Sequence, residues 1–194
     1  VNILIIAGEV SGDGYAASLV KSLKIQDPSI TIYAIGGNKL QAVADHFLFQ
    51  SAYSHGVGIE TIFSKYRFKK TLLTCINNLL DHTFISKAIL VDFQHFNHVI
   101  AKNMQQYNVP IDTFITPNFW MWKSKKSALT ICDYSENIYT IFQPEYDFYK
   151  SLHTNTYYFG HPLTNTIDQP TSTYLAKSPN PIITLLPGSR PQEF

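Results

Sequence analysis

Asp92 closes an apolar run, Ala88-Ile89-Leu90-Val91, and Asn97 follows soon after. A carboxylate at the end of a buried strand can act as a general base on the floor of a cleft. It can equally cap the helix that follows, and position alone leaves both readings open. Near the amino end, Gly8-Glu9-Val10-Ser11-Gly12-Asp13-Gly14 mixes small residues with two carboxylates and a hydroxyl. Glycines of this kind permit a tight turn; Glu9, Ser11 and Asp13 add polar groups that a plain turn does not need, which favours a binding role. Gly160-His161-Pro162 offers either a ligand-facing imidazole or a loop histidine satisfied by backbone. Trp120-Met121-Trp122 sets two large rings at a spacing that cannot share one side of a helix, which leaves one for a cleft or an interface. Pro187-Gly188-Ser189-Arg190 exposes backbone N–H groups beside a guanidinium, a combination suited to a phosphate.

These groups need a scaffold, and the pattern supplies an α/β one. Ile3-Leu4-Ile5-Ile6-Ala7 is apolar throughout, as a strand buried on both faces must be. The glycine-rich turn follows, and Ala16, Leu19, Val20 and Leu23 then recur at helical spacing. Strand, turn and helix in that order aim backbone amides and a positive helix end at whatever binds there. Further strands are expected at 31–35, 47–49, 88–91, 112–115, 137–142 and 154–159. A long helix should have its apolar positions at Ile59, Ile62, Phe63, Tyr66, Leu73, Ile76 and Leu80, and Pro144 should open another. The whole is a doubly wound, mostly parallel, Rossmann-like sheet. Glu9, Ser11, Asp13, Asp92, Asn97, Trp120, Trp122, His161 and Arg190 should gather along its carboxyl edge, where such sheets bind ligands. Residues 1–163 form this domain, 164–180 read as a linker rich in Thr, Ser, Pro and Asn, and 181–194 start a second, truncated domain.

Composition narrows the function. Fifteen Lys and Arg against fourteen Asp and Glu give no field for nucleic acid. The one basic cluster is Lys65, Arg67, Lys69 and Lys70, a solvated helix face on sequence alone. Cys75 and Cys132 form no motif and read as buried thiols; a reducing, cytoplasmic setting fits, with no secretory leader and no membrane-spanning run expected.

Taken together, the blocks resemble the lipid-A-disaccharide synthase family of glycosyltransferases. Ala7-Gly8-Glu9-Val10-Ser11-Gly12-Asp13 is similar to that family's AGExSGD, and Val91-Asp92 with Phe96-Asn97 to its ID-x-x-x-F-N. Thr116 to Lys123 is similar to its SPSVWAWR, Phe159-Gly160-His161-Pro162 to FVGHP, and Leu186 to Arg190 to LPGSR. The order of the five blocks matches across the chain. The resemblance implies the N-terminal, acceptor-side half of a two-domain B-type transferase. The reaction would join UDP-2,3-diacylglucosamine to 2,3-diacylglucosamine 1-phosphate and release UDP, without metal or organic cofactor. It implies Asp92 as base, an acceptor side shaped by Gly8, Glu9, Ser11, Gly12, Asp13, Asn97, Trp120, Trp122 and His161, and a UDP loop at Gly188, Ser189 and Arg190. The basic cluster, with Tyr66 and Phe68 as exposed aromatics, would then meet an anionic membrane surface on the inner face of the inner membrane. A second copy of the chain as partner is left open. The chain departs from the pattern at Gln94-His95, at Met121, and at Lys123, which keeps the charge of an arginine without its planar fork.

Two other classes compete. Gly8, Gly12 and Gly14 fit the turn of short-chain dehydrogenases, with Ser135, Tyr146 and Lys150 as a triad for an NAD(P)-dependent oxidoreductase. However, Gly36-Gly37 ends the second strand with no acidic residue to hold a ribose. The third class is a non-catalytic half-domain that binds lipid or a partner.

Overall fold

The computed structural model describes residues 1–51, 60–93, 96–121 and 123–165, with the backbone alone at 60–65, 118 and 165. The chain divides into two compact units, 1–162 and 163–194, and the first carries nearly all the described residues.

Strand and helix alternate through the first unit. β1 (Asn2–Ala7), α1 (Val10–Gln26), β2 (Thr31–Gly36), α2 (Asn38–Gln41) and β3 (His46–Gln50) come first, followed by the long α3 (Glu60–His82). Then come β4 (Lys87–Val91), α4 (Asn97–Gln105), β5 (Ile111–Phe114), α5 (Lys125–Tyr134), β6 (Asn137–Thr140), α6 (Gln143–Lys150) and β7 (Thr156–Tyr158). The strands form one seven-stranded sheet in the order β3-β2-β1-β4-β5-β6-β7. Every pairing is parallel. This is the doubly wound Rossmann-like architecture that the sequence predicts.

The apolar runs are continuous because the central strands face two cores. Leu4 and Ile6 of β1 and Ala88 and Leu90 of β4 pack into a cluster with Leu72, Ile76 and Leu79 of α3 and Ile100 and Met104 of α4. Their neighbours Ile3, Ile5, Ile89 and Val91 turn the other way, onto Ala16 and Val20 of α1 and Leu40 of α2. Alternation along a strand therefore separates two hydrophobic sets rather than an inside from an outside.

One expectation needs correction in α3. Tyr66 is 68% exposed, as expected of an aromatic beside the basic cluster. Phe68, expected outside, meets Phe96 edge-on with ring centroids 5.2 Å apart and lies tilted against Phe49 at 5.5 Å. The core stripe runs Phe68, Leu72, Ile76 and Leu79, a helical spacing whose phase the β3 and β4 side chains set. The cysteines are half-buried rather than sealed, and burial still pushes both thiols up, Cys132 to about 11.

Polar groups tie the amino edge of the sheet. Lys87 Nζ donates to Asp112 at 3.1 Å and to Glu136 at 2.9 Å. Asn137 Nδ2 donates to the same Asp112 carboxylate at 2.9 Å. Three adjacent strands are thus pinned by one buried carboxylate, away from the carboxyl edge where ligands bind.

Candidate functional site

β4 and β5 each carry their hydrogen bonding one residue past the strand and then turn sharply. The Asp92 amide donates to the Phe114 carbonyl at 3.2 Å, and the Ile115 amide to the Tyr139 carbonyl at 3.0 Å. Both residues then take left-handed backbone, φ 39° at Asp92 and 66° at Ile115. For side chains of these types the conformation costs about 1–3 kcal/mol each and persists only where the surroundings fix it.

The surroundings of Asp92 are the first turn of α1. The Ser11 hydroxyl donates to Asp92 Oδ2 at 3.1 Å. Gly12 permits that approach, since a Cβ there would stand 3.2 Å from Asp92 Cβ and 3.3 Å from the Val91 carbonyl oxygen. Gly8 serves packing instead: a Cβ on it would fall 1.8 Å from the Phe93 ring. Glu9 is the residue before α1, in extended conformation and half-exposed.

Asp13 turns away from this opening. It is 3% exposed, and its carboxylate accepts the amides of Gly37 at 2.7 Å and of Lys39 and Leu40 at 3.0 Å. It therefore caps α2 from a different helix, and the positive end of α2 is already neutralised from within. The hydrogen bonds of Asp13 thus go to α2 rather than to the Ser11 side of α1. Asn97, at the start of α4, is 1% exposed. Among the described residues neither of its side-chain polar atoms has a hydrogen-bond partner, an expensive arrangement that a bound polar group would relieve.

The far side of the edge is aromatic. Gly160 at φ +87° carries the chain to His161. The His161 ring meets Tyr15 edge-on at 5.8 Å and Phe142 at 5.3 Å, and Phe142 lies 6.0 Å from Trp120. Trp120, Phe142, His161 and Tyr15 thus make a row of rings that reaches the helix carrying Ser11. Burial, and then the charge on Asp92, hold the Tyr15 phenol above its ordinary value. Through Phe142 and Tyr15 the row links Trp120 and His161 to the helix that carries Ser11. Trp122, Gly188, Ser189 and Arg190 lie outside the described residues, as does the side chain of Lys65.

Tyr15 and Phe142 escape sequence reasoning. Tyr15 has a signal in hindsight, standing one helical turn beyond Ser11 and so on the same face of α1. Phe142 has none beyond its place ahead of Pro144. The dehydrogenase alternative is not assembled. The Ser135 hydroxyl is paired with that of Thr113 at 2.7 Å in the core, at the opposite edge of the sheet. Lys150 Nζ donates to the Thr154 carbonyl, and the Tyr146 ring lies beside Tyr158.

Among the described residues no group of three or more His, Cys, Asp or Glu could hold a metal ion, and no helix is long and apolar enough to cross a membrane.

Comparison with known proteins agrees with the motif blocks. A family model described as lipid-A-disaccharide synthetase matches residues 3–194. The lipid-A-disaccharide synthase of Myxococcus xanthus is 30% identical across 99% of this chain and 51% of its own length. Lipid-A-disaccharide synthase 1 of Legionella pneumophila strain Paris is 34% identical across 99% and 52%. The chain spans about half the length of these curated relatives. Among solved structures, Acinetobacter baumannii MurG aligns with a TM-score of 0.49 at 6% identity, over 89% of this chain and 48% of that one. Matched from its first strand to its last residue, this chain belongs to the lipid-A-disaccharide synthetase family.

Proposed function

We propose that this chain is the acceptor-side half of a transferase that joins the glucosamine of UDP-2,3-diacylglucosamine to the 6-hydroxyl of 2,3-diacylglucosamine 1-phosphate. The observation that carries the reading is the Asp92 carboxylate at the carboxyl edge of the sheet, fixed by the Ser11 hydroxyl at 3.1 Å and by a strained backbone turn. A sugar hydroxyl is a poor nucleophile at neutral pH. A carboxylate within hydrogen-bond reach takes its proton as the oxygen attacks the anomeric carbon. The new C–O bond forms with inversion, the bond from that carbon to the diphosphate breaks, and UDP departs with the electron pair. Asp92 ends the step protonated.

Asn97, whose side-chain amide has no partner among the described residues, would meet the acceptor, and Trp120 and His161 would line the same edge. Gly8 and Gly12 shape the turn, and Glu9 and Trp122 complete the acceptor side by family resemblance. Gly188, Ser189 and Arg190 would hold the UDP phosphates, where donors aimed at developing charge act most strongly. These residues belong to the start of a second domain at 181–194, after a linker at 164–180. No metal or organic cofactor enters the step.

The chain would meet the membrane peripherally, on the cytoplasmic face of the inner membrane. Arg67, Lys69 and Lys70 are exposed on α3, with Tyr66 beside them. Lys65 belongs to the same run, and anionic lipid attracts such a cluster. Pairing of two copies is a further element of the reading.

The test is radiolabelled disaccharide formation by a protein that continues this chain to the relatives' full length, with Asp92→Asn alongside. The expected loss is about a hundredfold or more in kcat, the scale of general-base catalysis. Undiminished turnover by Asp92→Asn removes Asp92 from the base role.

A further inference from the structure

Among the described residues, the most thoroughly buried carboxylate outside the site is Glu145, 1% exposed at the start of α6. Its two oxygens face two different parts of the chain. Oε2 accepts the amides of Ile141 at 2.9 Å and Phe142 at 3.2 Å. Oε1 accepts the amide of Thr116 at 3.1 Å and also the Thr116 hydroxyl. The first pair is ordinary capping of the helix that Glu145 itself begins. The second is not, because Thr116 heads the segment after β5 and owes nothing to α6.

We propose that Glu145 is a positioning residue for the ligand-facing edge: its carboxylate clasps the segment after β5 to the head of α6 and thereby sets where Trp120 and Phe142 stand. This rests on the transferase reading for what the edge binds, but not for the clasp itself.

Three features converge on it. Ile115, next to Thr116, is 7% exposed and holds φ 66°. A β-branched residue stays there only under outside constraint, and the hydrogen bonds on Thr116 supply one. Phe119 and Trp120 follow, seated on Ala128, Ile131 and Tyr149; Tyr149 lies one helical turn beyond Glu145 on α6. Phe142, held by the other carboxylate oxygen, places its ring 6.0 Å from Trp120 and 5.3 Å from His161. One carboxylate thus holds the two segments that carry Trp120 and Phe142, adjacent rings at one end of the aromatic row. Burial raises its proton affinity, and the Thr116 hydroxyl and the surrounding amides work against that rise. The donors therefore favour the ionised, two-sided acceptor.

Releasing the clasp leaves the edge free to sample other positions. The fraction of molecules ready to bind falls, and apparent affinity falls by the same factor. Saturating ligand restores the ready state, so kcat is spared.

The experiment compares Thr116→Val, which removes only the hydroxyl end, with Thr116→Ser, which restores it, and with Glu145→Gln. On the 194-residue chain carrying Trp122→Phe, acrylamide quenching reports Trp120. Thr116→Val should raise the quenching constant roughly twofold while far-UV circular dichroism is unchanged, and Thr116→Ser should return it to the parent value. On the extended protein, Thr116→Val should raise acceptor KM roughly tenfold, the scale of one lost hydrogen bond to a charged group, with kcat held. If Glu145→Gln lowers the urea midpoint but neither it nor Thr116→Val alters Trp120 quenching, Glu145 is a helix cap and nothing more. Should Glu145→Gln fail to fold, the two Thr116 variants decide the matter. Quenching that responds as expected in a protein without transferase activity would overturn the proposed reaction and leave the clasp standing.

Discussion

Alanine at Gly8 and alanine at Gly14 should move stability in opposite directions, although both glycines belong to one turn-and-helix motif. At Gly8 the added Cβ would lie 1.8 Å from Phe93 Cδ2, 1.9 Å from Cγ and 2.4 Å from Cε2. The ring cannot swing clear. Phe93 is 1% exposed, and its ring sits 4.9 Å from that of Phe96 and 6.4 Å from that of Phe68. Overpacking a filled core costs about 1–3 kcal/mol, and more when backbone must shift. The Gly8→Ala penalty belongs at or above the top of that range, a large share of the roughly 5–15 kcal/mol that holds a domain together. At Gly14 the nearest atoms to a new Cβ are Lys39 Nζ at 3.6 Å and Cδ at 3.8 Å, ordinary contacts with a flexible side chain. Gly14 lies inside α1, so alanine there should add about 0.4–1 kcal/mol by lowering the freedom of the unfolded chain. Urea unfolding of the 194-residue chain at constant m value measures both. Combining Gly8→Ala with Phe93→Leu should recover part of the loss, a coupling that only touching residues show. A Gly8→Ala protein as stable as the parent would refute the packing argument.

Three further outcomes are expected. Lys24 and the Ile32 amide hold the Asp45 carboxyl below the usual carboxylate range. That stability is present above the unfolded value of about 3.9 and drains away as pH falls through the folded one. Asp45→Ala should therefore cost at most about 1 kcal/mol near pH 7, since the pair is partly exposed and screened, and the gap to the parent should close in acid unfolding curves; a gap independent of pH would contradict the assignment. Burial and the nearby Asp133 carboxylate push the Cys132 thiol up to about 11, so iodoacetamide should label it slowly at pH 8 and much faster near that value, as mass spectrometry of the labelled peptide would read. Charge reversal at Lys65, Arg67, Lys69 and Lys70 should release the chain from anionic vesicles, by about 1 kcal/mol per basic residue near the surface; sedimentation with vesicles that does not change would discard the membrane contact.

Strands β1 and β4 were legible because burial on both faces writes an unbroken apolar run, a signal with no competing reading at that length. Asp92 was legible for the same reason: the run ends on it. The partner that fixes it was legible only as a member of a motif, since nothing local says that Ser11 rather than Glu9 or Asp13 turns toward β4. Asp13 illustrates the limit. Its neighbours in sequence suggest a ligand, whereas the amides it accepts belong to α2, and only the folded chain brings that helix end beneath it. The phase of α3 was misread at Phe68 because the Phe49, Phe93 and Phe96 rings that draw it inward come from other elements. Glu145 drew no reading from the sequence, because its second oxygen answers to Thr116 on another strand's exit.

The geometry at Asp92 shows why these failures cluster at one edge. A strand that ends in regular extended conformation would carry its next side chain to one face of the sheet, into packing and away from solvent. At Asp92 and Ile115 the backbone takes left-handed φ instead, and the strand exits stop following the alternation that made the strands readable. Such a turn is unfavourable by itself, so neighbours must hold it. Gly12 brings α1 against Val91 and Asp92, Ser11 takes the carboxylate, and Glu145 takes the amide and hydroxyl next to Ile115. Each of these supports lies remote in sequence from the residue it steadies. Local propensity can announce that a strand ends. The direction in which its last side chain points is decided by elements that arrive from elsewhere, and those elements set the site's geometry.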